Sequence, residues 1–230
     1  MQIEKHQLAQ ALNLVLADTP DAWEAGYYGR LMADCIGSQD YQYPVFDYEY
    51  KDRRILYTHV HNAVIRSGPM DFFEFGVFQG ESFRSWMEIN THPASRFFGF
   101  DSFEGLPEEW RSSNLPKGHF STNGALPDIN DPRGTFITGY FNKSLHPFLT
   151  GYERKNRMVI HIDSDLCSSC LYVLMTMNPW IARGTVIVFD DFGPADEFAA
   201  FHHWYTSCSR TWKILGTRTD LVKFAVAVTN

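Results

Sequence analysis

Four of the five short apolar runs in the middle of this chain carry an acid at or next to their carboxyl end, and nothing else in the sequence limits its fold so strongly. Asp71–Phe75 carries Glu74, Arg96–Phe100 is followed by Asp101, Met158–Ile162 by Asp163, and Thr185–Phe189 by Asp190 and Asp191. The remaining run is Thr135–Thr138. Helical stretches separate them, at Ser82–Ile89, Ser144–Leu149, Cys167–Met177 and Ala195–Tyr205. Runs that are apolar throughout belong to strands covered on both faces, as in parallel sheets wrapped by helices. Trp212–Leu215 and Val222–Val228 read as a closing antiparallel pair. The expected fold is therefore α/β, a doubly wound, mostly parallel seven-stranded sheet. Ligands bind such sheets beyond the carboxyl ends of the strands, and that is the edge where the acids fall.

Ahead of the sheet, residues 4–17 and 21–36 read as two helices, with Leu8, Leu12, Val15 and Leu16 at helical spacing and Thr19-Pro20-Asp21 between the pair. The stretch Tyr41–Tyr50 is unusually aromatic for a loop. It suits either a packed cover over the next helix or one wall of a cleft. A helix is expected over 49–67, with Ile55, Leu56, Val60, Val64 and Ile65 as its apolar stripe and Ser67-Gly68-Pro69 as its stop. The chain divides into a helical extension or cover over 1–48 and the main domain over 49–230. About thirty residues between Asp101 and Arg133 hold many turn formers and little periodicity. A connection that long inside one domain is usually functional, often a lid.

Composition narrows the classes. With 230 residues, 44% of them hydrophobic, the chain can bury a full core. A net charge of −7 argues against a nucleic-acid or anionic-membrane surface as partner. No apolar run approaches a membrane span. The expectation is a soluble, cytoplasmic protein with a small-molecule partner; homo-oligomer formation stays open. The four cysteines, Cys35, Cys167, Cys170 and Cys208, include one Cys-x-x-Cys with no second pair at zinc-site spacing. Buried structural thiols are expected.

The chemistry concentrates in three places. After the first run comes Glu74-Phe75-Gly76-Val77-Phe78-Gln79-Gly80-Glu81-Ser82, a strand, a glycine-bearing turn and a helix start. Such a turn brings backbone close to a ligand. The spacing Glu-x-Gly-x-x-x-Gly differs from that of pyrophosphate binders, and an acid before the first glycine suits a cationic cofactor. Asp101 lies 25 residues beyond Gly76, near the distance expected for an acid that accepts ribose hydroxyls; a local turn with Ser102 is the competing reading. Asp163, Asp190 and Asp191 would crowd at neighbouring strand ends. At an effective dielectric near 20, like charges about 5 Å apart cost roughly 3 kcal/mol, so a proton or a cation is needed there. Hard oxygen ligands point to Mg²⁺. The competing reading has Asp165 or one of the pair facing solvent or capping the next helix. His161, two positions earlier, reads as a hydrogen-bonded core histidine rather than a base.

These residues resemble the class I S-adenosylmethionine-dependent methyltransferases, and among them the macrocin O-methyltransferase (TylF-type) family. The matching stretches run from Phe73 to Ser82, from Gly99 to Pro107, from Gly139 to Leu145, from His161 to Leu166 and from Val188 to Phe192. The resemblance implies a Rossmann-like methyltransferase fold. It seats the methyl donor along Glu74, Gly76, Phe78, Gly80 and Ser82, with Asp163 beside it. Asp101 and Ser102 would hold the ribose, and Thr138 and Gly139 would border the adenine. Mg²⁺ would lie on Asp163, Asp190 and Asp191. A small-molecule hydroxyl, on a sugar or another natural product, is the implied acceptor. Read from their own positions, Asp163 and Asp191 at the strand ends and His119 on the long loop are the candidate catalytic residues. Cys167 and Cys170 depart from the family's pattern. A catechol-like acceptor and a non-catalytic methyltransferase-like module remain alternatives.

Overall fold

The run at 71–75 becomes β2, Met70–Phe75, and every one of its six residues is buried. In the computed structural model, which describes residues 22–230, the other runs follow suit. They are β3 (Arg96–Asp101), β4 (Gly134–Thr138), β5 (Arg157–Ile162) and β6 (Val186–Phe189). The closing pair is β7 (Trp212–Arg218) and β8 (Phe224–Val228). The helix expected over 4–17 lies outside the described residues. The second helix is α1, Ala22–Gly37.

Eight strands form the sheet, one more than expected; with Val45–Phe46 as β1, their order is β1-β7-β8-β6-β5-β2-β3-β4. The addition is β1, Val45–Phe46, which pairs in parallel with β7 through Val45↔Thr217 and Phe46↔Arg218. It comes from the aromatic stretch at 41–50, where Phe46 also packs at 5.0 Å on His59. That stretch thus covers the helix that follows it and extends the sheet edge. All other neighbours pair in parallel except β8, which runs antiparallel to β6 and β7.

The helix expected over 49–67 is broken into a 3₁₀ turn Tyr50–Asp52, α2 (Arg54–Val60) and a π turn His61–Ile65. Then come α3 (Glu81–Ile89), α4 (Phe141–Thr150), α5 (Cys167–Met177), a π turn Pro194–Phe198 and α6 (Ala199–Ser207). Strand residues alternate between two cores because successive side chains face opposite ways. Phe73, Phe75, Ile160, Ile162, Ile187 and Phe189 join α1, α4, α5 and α6 on one face. Phe72, Val159, Val186 and Val188 join α2 and α3 on the other. Met32 and Ile36 of α1 belong to the first core, so the described part of the extension is integral to it. Only Cys170 is fully buried; Cys35, Cys167 and Cys208 are partly exposed free thiols, which corrects the expectation of four buried ones.

Candidate active site at the carboxyl ends of the strands

Parallel register sets the site. Phe75 pairs with Ile162, and Ile162 with Phe189, so Gly76, Asp163 and Asp190 leave three adjacent strands at one level. The ladder runs one step further: Asp163 N donates to Phe75 O at 2.9 Å and Asp190 N to Ile162 O at 2.9 Å. Gly76 is required here. It sits at φ +94°, and a Cβ would lie 1.7 Å from the carbonyl oxygen of Asp163. Gly80, at φ +76°, ends the turn at the start of α3 and lies under Pro127 and Ile129 of the long loop.

Asp101 ties that turn down. Its Oδ2 accepts from the backbone N–H groups of Val77 and Phe78, each at 2.8 Å, and its Oδ1 from Phe103 N at 2.7 Å. Phe78, at φ 50°, is partly exposed and packs on Phe120 at 5.7 Å. Ser102 Oγ donates to Gly105 O and accepts from Glu104 N. Thr138 ends β4 in register with Asp101, and Gly139 N donates to Asp101 O at 2.9 Å.

Glu74 points to the face opposite Phe75, toward α3, where its Oε1 accepts from Ser82 Oγ at 2.5 Å. Beside it, in register, stands His161. His161 lies 3.9 Å from Glu74 Oε2 and 3.7 Å from Asp190 Oδ1, too long for hydrogen bonds. Burial disfavours its charged form, but Asp190 and Glu74 outweigh that and push its pKa up to about 9. His161 is thus a core histidine between two carboxylates, with Tyr57 Oη 3.3 Å away.

Asp190 differs from the expectation most. It is fully buried, and Lys223 Nζ at 2.5 Å, Arg53 Nη1 at 2.9 Å and Tyr57 Oη at 3.1 Å all donate to its carboxylate. Burial opposes its charge, but Lys223, the His161 contact and Arg53 hold the carboxyl well below the usual range. Two cations and a tyrosine hydroxyl already hold Asp190 in the core, which leaves it little negative charge to offer a metal. Instead the structure brings Asp163 and Asp191 together with Asp165: one carboxylate oxygen from each lies within 4.8 Å of the others. Burial and repulsion from Asp163 and Asp191 push Asp165 up to about 9. Burial also carries Asp191 to about 6, although Lys223 draws it down. Among the described residues, Asp165 and Asp191 form no ion pair, and Asp163 has only Arg53 at 3.3 Å. Three hard oxygen donors with excess negative charge fit a divalent cation.

Glu197, from the π turn, holds the two acid-bearing loops together. It is fully buried, accepting from Ser164 N at 3.1 Å and Asp191 N at 3.2 Å. The loop at 102–132 is folded on itself, with Leu106 N donating to His119 O and Thr122 N to Phe103 O. It touches the acid edge twice, through Ser112 Oγ to Asp196 at 2.6 Å and Ser168 Oγ to Glu108 at 2.5 Å. His119 is exposed on this loop; its ring packs on Phe120 at 4.3 Å and makes no hydrogen bond among the described residues. It is not brought to the acids. Of the partners that matter here, Arg53, Tyr57 and Glu197 carry no signal in the sequence. Lys223 has one, as the single charge inside Leu221–Val228.

A sheet of this strand order, with a glycine turn after β2 and an acid closing β3, defines a class I S-adenosylmethionine-dependent methyltransferase. Residues 73–192, more than half of the chain, match the family described as "Methyltransferase domain", and the chain belongs to that family. Among solved structures it is similar to CalS11, a calicheamicin methyltransferase, at TM-score 0.59 and 16% identity, covering 99% of this chain and 93% of that one. It is also similar to the O-methyltransferase NovP, at TM-score 0.55 and 19% identity, covering 79% of each chain. No relative matches among curated proteins. No helix of the described residues is long and apolar enough to cross a membrane.

Proposed function

We propose that this protein is an O-methyltransferase of the macrocin (TylF) type, acting on a sugar or natural-product hydroxyl in the cytoplasm with help from Mg²⁺. The observation that carries the reading is the meeting of the Gly76–Gly80 turn and the Asp163, Asp165 and Asp191 carboxylates at one sheet edge. The names of two neighbours, the O-methyltransferase NovP and the TDP-rhamnose 3'-O-methyltransferase CalS11, support the choice of a hydroxyl acceptor. S-adenosylmethionine, when bound, supplies a methyl group on a cationic sulfonium.

The residues suit that donor. Gly76, Phe78 and Gly80 form its seat, Glu74 and Ser82 lie buried behind it and bonded to each other, and the acid edge complements its positive charge. Asp101 Oδ1 accepts one hydrogen bond, from Phe103, so a lone pair is left for a ribose hydroxyl. Ser102, Thr138 and Gly139 border the remainder. Asp163, Asp165 and Asp191 would hold Mg²⁺, which when bound would acidify and orient the acceptor hydroxyl. Asp190 stays outside that set and anchors Arg53 and Lys223.

Methyl transfer is an in-line displacement, so the main task of the chain is placement, which can lower a barrier by about 7–11 kcal/mol. Glu197 fixes the spacing of the Asp163 and Asp191 loops. The loop at 102–132 excludes water from the far side. The hydroxyl proton passes to a strand-end carboxylate, for which Asp163 and Asp191, half-buried beside the buried Asp165, are the candidates.

The test is production of S-adenosylhomocysteine on a panel of glycosides, nucleotide sugars and catechols, with and without EDTA. Turnover of sugar hydroxyls that EDTA abolishes is expected. Turnover of catechols alone would move the acceptor class, and cofactor binding without turnover on any hydroxyl would leave a non-catalytic module.

A further inference from the structure

We propose that the opposite edge of the sheet, at the amino ends of the strands, carries a second ligand site that takes a polyphosphate group. A hollow of about 660 Å³ opens there. Four cations line it: Arg66 after the π turn that precedes β2, Arg157 at the start of β5, Arg183 in the turn before β6, and Lys213 near the start of β7. No aspartate or glutamate is among its lining residues, although the protein has 27 acids against 20 lysines and arginines and a net charge of −7. Acids do occur at this edge, as Asp71 does beside Arg96, but none lines the hollow itself.

None of the four forms an ion pair among the described residues. Other cations are consumed by acids, as Lys223 and Arg53 are by Asp190, and Arg96 is by Asp71. Four like charges around one hollow repel, and an anion there removes the repulsion. One of the four is tethered to the backbone of the hollow's rim. Arg157 Nη1 donates to Gly184 O at 3.4 Å. Arg66 sits at φ 58° and ψ −129°, a backbone conformation that side-chain-bearing residues rarely adopt.

The charge count selects the ligand. A monophosphate carries about two charges at neutral pH and a chain of three phosphates roughly twice that, matching the four cations. Three of the four are arginines, whose planar forks suit bidentate phosphate contacts. The remaining wall is aliphatic, including Val64, Pro69 and Ala227, and no aromatic ring lines it. Nothing there stacks a base, so recognition falls on the phosphates, whether free tripolyphosphate or the tail of a nucleotide.

Isothermal titration calorimetry of the full chain with sodium tripolyphosphate, and separately with ATP, tests this. One saturable site of similar affinity for both is expected, weakening steeply between 50 and 200 mM salt. The triple variant Arg66→Gln/Arg183→Gln/Lys213→Gln should weaken both by at least tenfold, and Arg183→Gln alone by a smaller factor. All these positions are exposed, and S-adenosylhomocysteine affinity should stay within twofold, which serves as the folding control. No binding of tripolyphosphate, binding of ATP alone, binding unchanged in the variants, or displacement by S-adenosylhomocysteine would each overturn the site. Because the control ligand binds at the other edge, failure here leaves the methyltransferase reading intact, and the reverse also holds.

Discussion

Lys223 Nζ lies 2.5 Å from Asp190 Oδ2, and both side chains are fully buried. The pairing follows from the sheet: Phe189 of β6 faces Phe224 of antiparallel β8, so the next residues outward, Asp190 and Lys223, meet. A buried ion pair contributes little net stability, but losing one partner leaves an uncompensated charge. Lys223→Met should therefore destabilise the protein by about 3–5 kcal/mol, read as a shift in the urea midpoint. Adding Asp190→Asn should recover part of the loss. A single-variant loss below about 1 kcal/mol would show that the pair is solvated.

Asp165→Asn and Asp191→Asn should each cut turnover by about 100-fold, the scale for losing a metal-supported transition-state contact. S-adenosylhomocysteine affinity should change by no more than about threefold. Asp190→Asn, by contrast, should lower the melting temperature, because it strands Lys223 and Arg53. If Asp165→Asn kept full activity, the revised ligand set would be wrong.

Asp101→Ala removes an acceptor from three backbone N–H groups as well as from the ribose site. S-adenosylhomocysteine affinity should fall by about 10–100-fold, the equivalent of one or two charge-assisted hydrogen bonds. Undiminished affinity in calorimetry would refute the ribose assignment.

Gly76→Ala should cost more than about 3 kcal/mol, since the backbone is in the left-handed region and the new methyl meets the Asp163 carbonyl. Chemical denaturation reads this directly, and a loss under about 1 kcal/mol would mean that the β5 end moves freely.

Asp71 gives the acid limit of stability. Burial works against its charge, but Arg96, Lys155 N, Tyr152 and Asn156 donate to it and lower its pKa below the usual carboxylate value. A group depressed in the folded state contributes stability above its unfolded pKa, near 3.9, and loses it as pH falls through the folded value. Unfolding free energy should drop below pH 4, and Asp71→Asn should flatten that drop while costing about 2–4 kcal/mol at neutral pH. An unchanged acid limb in the variant would assign the acid sensitivity elsewhere.

Most of the fold was legible because fully buried strands leave an unbroken apolar record, and β2 through β6 each fall within one residue of their runs. β1 was not, because two residues at a sheet edge carry no period of their own; Val45 and Phe46 become a strand only where β7 offers its free edge. The break of the helix over 49–67 also left no mark, since its apolar stripe continues through the π turn. In the candidate site, the glycine turn and the strand-end acids could be read from spacing, whereas the division of labour among those acids could not. Asp190 and Asp191 are chain neighbours, yet one points into the core and the other to the cleft.

By itself the sequence determined that there is a parallel sheet, where its strands end, and that acids gather at those ends, because burial and turn geometry act locally and leave local signatures. Only the tertiary structure decided which acids remain available. Lys223, Arg53 and Glu197 arrive from segments 33, 137 and 33 residues away from the groups they bind. A carboxylate's charge, protonation and free lone pairs depend on such partners rather than on its own position in the chain.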